Sequence, residues 1–270
     1  MNEPPPGELD CLGSAPVPPR ARITAAVLTR DEEAHLPACL ASLRWADEVL
    51  VLDSGSKDAT VEVARAAGAR TAHHAFQNFS LQRQHALGLV TTPWVFFVDA
   101  DERVPPALAG EARAAVAADG ADAYWVPRTN LFWGHPMRGG GWWPDHQLRL
   151  LRVERASYDP DRAVHEVAHV RGTASRLTQP LVHLNYASLA EFRAKQATYA
   201  RLEAERRRAA GGRVRAHNLV LQPWREFWRR YVALAGWRDG PVGLTVCALM
   251  AWYEYATLRA VKGPSRETIR

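Results

Sequence analysis

Three carboxylates fall within four residues at Asp99-Ala100-Asp101-Glu102, directly after the apolar run Trp94-Val95-Phe96-Phe97-Val98. A run rich in Val and Phe and preceded by Pro93 reads as a strand buried on both faces of a sheet. Negative charge gathered at the end of a buried strand costs free energy unless a cation sits there. Asp99 and Asp101 lie two apart, so a kinked strand end would aim both at one hard divalent ion. Mg²⁺ or Mn²⁺ suits, because such ions keep water and share their shell with substrate phosphates. The plainer reading of the same residues is an exposed acidic turn after a core strand, since D-x-D is a common sequence.

The elements that would position these residues alternate between strand and helix. Residues 22–28 form a short apolar run, read as the first strand, and Asp31-Glu32-Glu33 follow it. Apolar spacing through Leu36, Leu40 and Leu43 predicts a helix, with Asp31 placed to cap it and acids suiting the dipole of its first turn. A second strand over 48–52 ends in Asp53-Ser54-Gly55-Ser56-Lys57-Asp58. Residues 60–67 read as a helix stopped by Gly68, 70–73 as a third strand and 81–89 as a helix. Strands and helices joined by short connections imply βαβ units on a mostly parallel sheet, hence an α/β fold. Ligands of such sheets sit beyond the carboxyl ends of the strands. Three of those ends carry carboxylates here: Asp31 with Glu32, Asp53, and Asp99 with Asp101. No G-x-G-x-x-G follows the first strand and no G-x-x-x-x-G-K-[ST] occurs, which argues against a dinucleotide fingerprint and excludes a P-loop. A nucleotide site using carboxylates for base and ribose, and a metal for the diphosphate, remains.

The chain has 270 residues, enough for one large or two modest domains. Cys11, Cys39 and Cys247 are scattered, without metal-ligand spacing or a disulfide framework, which fits a reducing compartment. Residues 1–21 contain acids and prolines but neither a basic start nor an apolar core, and read as a disordered Pro-rich tail rather than a signal peptide. Of the net charge of +5, the stretch 201–230 carries +6, from nine arginines against three glutamates. The basic character therefore belongs to one segment. It points to an anionic partner at that segment rather than to a nucleic-acid-binding fold.

Thr29-Arg30-Asp31-Glu32-Glu33, Asp53-Ser54-Gly55-Ser56-Lys57-Asp58-Ala59-Thr60 and Asp99-Ala100-Asp101-Glu102 resemble, in order and spacing, the signatures of family 2 glycosyltransferases with a GT-A fold. Residues 140–150 and Val164-His165-Glu166 resemble a narrower branch, the bacterial lipopolysaccharide core β-glucosyltransferase-like group. The resemblance runs from about Ile23 to Ala260. It implies a nucleoside pocket lined by Thr29, Asp31 and Glu32, with Asp31 standing where the family often has Asn. It implies a base contact from Asp53, an approach to the nucleotide by Arg83, and Asp99 at the ribose or in the metal's water shell. Asp101 would ligate the metal that neutralises the leaving diphosphate. The implied reaction is transfer of a hexose with inversion from a nucleoside-diphosphate sugar, UDP-glucose by family likeness, to a lipopolysaccharide-core or other lipid-linked acceptor.

Inversion needs a general base to take the acceptor hydroxyl's proton. The best candidate is Asp145, after a cluster in which Gly139-Gly140-Gly141 would give a mobile, closely approaching backbone and Trp142 and Trp143 a flat surface for a sugar ring; the resemblance also gives Asp145 the place of the family's acceptor-side acid. His165 and Glu166 are a second pair, His165 for the metal or a phosphate and Glu166 as its orienter or as the base instead. His183 is set aside as a structural histidine. Each motif also has a local alternative: Asp31 as a cap, Asp53-Ser54-Gly55-Ser56 as a hydrogen-bonded turn, Arg83 as a solvated helix residue, Trp142 and Trp143 as core with Asp145 starting a turn after Pro144. A sugar-nucleotide pyrophosphorylase would open with a Gly-rich loop and a basic residue, and neither follows Leu28. A degenerate GT-A domain serving as a scaffold is opposed by the intact acids.

After Ser188 the texture changes, dividing the chain into a catalytic domain over 22–190 and a helical, basic and aromatic region over 191–270. Trp224, Phe227, Trp228 and Tyr231 recur at helical spacing with Arg225, Arg229 and Arg230 between them, the composition of a helix lying in a membrane interface. Residues 241–258 are apolar for most of their length, but Glu254 and the flanking arginines leave them marginal against the ~20 apolar residues of a spanning helix. The expectation is peripheral attachment to the cytoplasmic face of an anionic inner membrane, the alternative being that both helices pack on the catalytic domain.

Overall fold

The structure, a computed structural model, describes residues 21–159, 168–212 and 214–262. The tail read at 1–21 falls, but for Ala21, outside these residues, as do His165 and Glu166. The first half alternates as its periodicity implies. β1 (Ile23–Thr29) leads to α1 (Leu36–Ser42), β2 (Glu48–Asp53) to α2 (Thr60–Ala66), and β3 (Arg70–His73) to α3 (Phe79–Leu89). β4 (Trp94–Asp99) then enters the middle of the sheet. Beyond it come β5 (Glu102–Arg103), α4 (Pro106–Ala118), β6 (Ala123–Phe132), β7 (His135–Pro136) and β8 (Asp145–Arg152). Short β9 (Ala156–Ser157) and β10 (His169–Val170) pair with each other, and β11 (Ala174–Arg176) and β12 (Leu181–Tyr186) return to the main sheet. Three helices close the chain: α5 (Leu189–Ala209), α6 (Asn218–Trp228) and α7 (Gly240–Lys262).

The main sheet runs β3-β2-β1-β4-β8-β6-β12-β5, with β7 and β11 also on β6. Its first four strands are parallel, as expected. The rest is mixed: β8 lies antiparallel to both β4 and β6, and β12 parallel to β6 but antiparallel to β5. The turn in strand direction at β4 and β8 brings Asp99 and the residues of β8 to one edge of the same cleft.

Pleating sorts the apolar runs onto two faces. Ala25, Val27, Phe96 and Val98 pack with Leu36, Leu40, Leu43 and Leu108, beneath α1 and α4. Ala26, Leu52, Val95 and Phe97 pack with Ala86 and Leu87 of α3. Both faces are apolar because helices cover both, which is why these strands read as continuous rather than alternating runs. A third cluster of Phe132, Met137, Tyr186, Phe192 and Val246 ties α5 and α7 to the far half of the sheet. The alternative of helix packing therefore holds for α7, whose Val246 is fully buried. No helix among the described residues is long and apolar enough to cross a membrane.

One local reading differs in the structure. Asp31 does not cap α1: the cap position is His35, with no side-chain hydrogen bond. Asp31 instead sits at φ +54° and its Oδ1 accepts from Lys57 N at 2.7 Å. The glycines at 139–141 do bring the backbone into close approach. Gly139 and Gly140 are buried, and a Cβ on Gly139 would lie 2.1 Å from the Ala235 carbonyl oxygen. Glycine is required there because two backbones meet.

Candidate active site

A cavity of about 370 Å³ opens at the carboxyl ends of β1, β2 and β4, lined by Thr29, Glu32, Ser54, Gln82, Asp99, Asp101 and His183, together with the exposed rings of Phe76 and Phe79. Thr29, Glu32, Asp99 and Asp101 are therefore brought together as expected. Asp31, Asp53, Arg83, Trp142, Trp143 and Asp145 are not part of its lining.

The first two signature loops hold each other. Asp31 N donates to Ser56 Oγ at 2.9 Å, Glu32 N to Thr60 Oγ1 at 2.8 Å and Glu33 N to Asp58 Oδ2 at 3.1 Å. In return Ala59 N donates to Glu33 Oε2 at 2.9 Å. These loops have few neighbours to satisfy their backbones, and the reciprocal bonds replace the missing sheet partners. Asp53 is buried and its carboxylate accepts from Gly55 N at 2.8 Å, from Ser56 N at 3.1 Å and from Ser56 Oγ. Burial raises its pKa, but these bonds outweigh burial and hold the carboxyl below its ordinary range. The turn reading of this segment thus describes how the Asp53 carboxylate is used within its own loop. Gln82 of α3 donates to Ser54 Oγ at 2.5 Å and to the His74 carbonyl at 2.9 Å, fixing the loop over the cavity wall.

From Asp99 in the cavity wall a largely buried chain of alternating charge runs inward. Arg83 Nη2 stands 3.2 Å from Asp99 Oδ1, and Arg149 Nη2 2.5 Å from Asp99 Oδ2 and 2.7 Å from Glu102 Oε1. Arg128 continues the chain, with Nη1 3.2 Å from Glu102 Oε1 and Nη2 2.7 Å from Asp145 Oδ2. Arg83 is therefore a buried ion-pair partner rather than a solvated helix residue. Three arginines meet three carboxylates, so charge that would be prohibitive in a dry interior is paired throughout. Burial opposes ionisation of Asp99, yet Arg149 and Arg83 hold its pKa far down. Burial pushes Glu102 upward. Asp145 is also raised by burial and then carried below its ordinary range by Arg128, with Asn130 and Gln147 donating to it.

Asp101 differs. No arginine touches it among the described residues; His183 Nε2 lies 3.2 Å from its Oδ2. Burial raises the Asp101 pKa, but the hydrogen bond and charge of His183 lower it overall. His183 Nδ1 in turn lies 2.7 Å from Asn130 Oδ1, and Asn130 Nδ2 donates to Asp145 Oδ2 at 3.1 Å. A polar line thus runs Asp101–His183–Asn130–Asp145, from the cavity to the start of β8. His183, set aside at first, belongs to the site. Its signal is faint: a polar residue two positions before another, Asn185, in the strand Leu181–Tyr186, paired with a residue 82 positions earlier. Arg128, Asn130 and Arg149 left a clearer trace, as polar residues at alternate positions of β6 and β8 where an inward face should be apolar.

Asp101 and His183 offer two ligand atoms to a divalent ion at the cavity. Among the described residues no group of three or more His, Cys, Asp or Glu could hold one, so a cation there takes its remaining ligands from substrate oxygens and water. Asp99, the other expected ligand, has both oxygens against arginines. Trp142 packs edge-on against Phe132, with centroids 4.8 Å apart, and lies beneath Arg230, so its ring serves that cluster. Trp143 is 38% exposed. Burial raises the Glu32 pKa, and the neighbouring Asp101 charge adds to the rise.

Comparison with known proteins places this geometry. A family model described as glycosyl transferase family 2 matches residues 24–176, more than half of the chain. The lipopolysaccharide core biosynthesis glycosyltransferase LpsC of Rhizobium meliloti (strain 1021) is 30% identical over 250 residues, covering 88% of this chain and 91% of that protein. An uncharacterized glycosyltransferase of Rickettsia bellii (strain RML369-C) is 30% identical over 115 residues, 42% of this chain and 39% of that one. Among solved structures, glucosyl-3-phosphoglycerate synthase from Mycobacterium tuberculosis aligns over 41% of this chain and 44% of its own at 23% identity, with a TM-score of 0.35.

Proposed function

From the premise that this chain belongs to glycosyl transferase family 2 and is a glycosyltransferase of GT-A fold, we propose that it moves a hexose, with inversion, from a nucleoside-diphosphate sugar to a lipopolysaccharide-core or other lipid-linked acceptor. UDP-glucose is the donor we propose. The observation that carries the reading is the Asp101–His183 pair facing a cavity at the carboxyl ends of parallel strands. Similarity to LpsC over 91% of that protein's length supports a lipopolysaccharide acceptor.

In this reading the donor enters the cavity with its nucleoside against Thr29 and Glu32. Phe76 and Phe79, whose rings meet at 5.1 Å, line the same cavity. Asp101 and His183 would hold Mg²⁺ or Mn²⁺, which when bound supplies positive charge for the leaving diphosphate. Asp99 would act through its charge-paired position at the end of β4. Asp145 enters the reaction ionised, since Arg128 lowers its pKa, and would receive the acceptor hydroxyl's proton. Trp143, partly exposed, would meet the acceptor sugar.

Calorimetric titration with UDP, GDP and UDP-sugars, with Mn²⁺ and with chelator, tests this directly. Metal-dependent binding of one nucleotide is expected, weakened at least ~10-fold in Asp101→Asn and in His183→Ala. Binding equal with and without chelator, or unaffected by both substitutions, removes the metal role. No nucleotide binding by the folded protein removes the transferase reading.

A further inference from the structure

The large apolar side chains that α6 and the turn following it, Arg229–Ala233, present to solvent form a stripe. Val220, Trp224, Trp228 and Val232, four residues apart, are 70%, 60%, 54% and 41% exposed. On α7, Trp252 is 58% exposed as well. No residue of α6 is buried, and Trp224 and Trp228 keep more than half of their surface in solvent at the edge of a groove shared with Arg207 and Glu254. Trp224 stacks on Phe227 with centroids 6.4 Å apart, and Phe227 on Tyr231 at 5.3 Å, so the rings form a preassembled row. Arginines interleave with it: Arg225 and Arg229 are both exposed. Over residues 189–262 the net charge is +8, against +5 for the whole chain.

We propose that this face docks on a bilayer of anionic phospholipids, with the tryptophans at headgroup depth and Arg225 and Arg229 among the phosphates. An exposed apolar patch of this kind marks an interaction surface, and charge decides which. A second copy of the chain would bring +8 against +8, whereas an anionic leaflet complements it, at about fivefold in affinity per arginine near the surface. Tryptophan, apolar in body and polar at Nε1, suits the interface rather than the hydrocarbon core.

The docking face is rigidly joined to the acceptor side of the site. Asp239, in the turn before α7, is buried and accepts from Arg138 N at 2.7 Å and Gly139 N at 2.9 Å. Arg230 Nη1 donates to the Gly140 carbonyl at 2.9 Å. A bilayer under α6 therefore stands at a fixed distance from the segment that leads to Asp145. This last step rests on the glycosyl-transfer reading and its lipid-borne acceptor; the docking itself does not.

The test is sedimentation of the full chain with phosphatidylcholine vesicles, with and without phosphatidylglycerol, at low and high salt. Binding that requires phosphatidylglycerol and falls with salt is expected. Arg225→Gln with Arg229→Gln should weaken it roughly 25-fold, and Trp224→Ser with Trp228→Ser about tenfold. Nucleotide titration should be unchanged in all of them, which separates this result from failure of the transferase reading. Absence of binding to phosphatidylglycerol vesicles at low salt overturns the proposal, as does binding indifferent to both pairs. A lipid-free dimer that the tryptophan substitutions dissociate would assign the face to a second copy instead.

Discussion

Replacing Arg149 by Met should unbalance the charge chain that runs inward from Asp99, and the size of the effect follows from its contacts. Arg149 is 3% exposed and is the nearest cation to two carboxylates, at 2.5 Å from Asp99 and 2.7 Å from Glu102. Removing one partner of a buried pair costs about 3–5 kcal/mol, mostly the penalty of the charge left behind. Arg83 and Arg128 remain at 3.2 Å from those same acids, which places the cost near the lower end, about 3 kcal/mol. For a chain of this size that lowers Tm by about 6–12 °C. The pH dependence is diagnostic. In the wild type Asp99 has a depressed folded pKa, so its contribution is present above the unfolded value near ~3.9 and is lost as pH falls below it. In Arg149→Met that depression weakens and the rise at Glu102 grows, so both acids take up protons more readily on folding. Stability relative to wild type should then recover as pH falls from neutrality toward the carboxyl range. Thermal unfolding of both proteins across that range is the assay. A Tm at neutral pH within ~2 °C of wild type, or a deficit that does not shrink on acidification, would refute the account of a paired buried chain.

Two further outcomes follow from the same geometry. Asp145→Asn should keep metal-dependent nucleotide binding and lose transfer by about 100-fold or more, as expected for a missing general base; steady-state kinetics with an active variant would move the base to Glu166. Gly139→Ala should destabilise the chain by at least ~1–3 kcal/mol, because its Cβ would meet the Ala235 carbonyl at 2.1 Å. Chemical denaturation measures it, and a neutral result would mean that the C-terminal helices do not seat on this segment.

The three signature loops were legible because each follows a strand whose apolar run is unmistakable, and because their residues satisfy one another locally. Asp31 with Lys57 and Asp53 with Ser56 are contacts within two neighbouring loops. β1 to β4 and the helices between them were equally plain, since both faces of that half-sheet are covered and periodicity alone sorts strand from helix. The mixed half was not, because β6, β8 and β12 carry inward polar residues that break the apolar pattern. The C-terminal composition announced an aromatic, basic helix, but not which of α6 and α7 packs and which stays uncovered.

What the sequence determined by itself is therefore the parallel half-sheet, the carboxylates at its edge and the family. Only the tertiary structure decided how those carboxylates are shared out. Arg83, Arg149 and Arg128 arrive from α3, β8 and β6 to take Asp99, Glu102 and Asp145, leaving Asp101 to His183 on β12. The physical reason is that a buried charge is settled by whichever counter-charge the topology brings within about 3 Å, and sheet pairing between distant strands, not spacing along the chain, sets that.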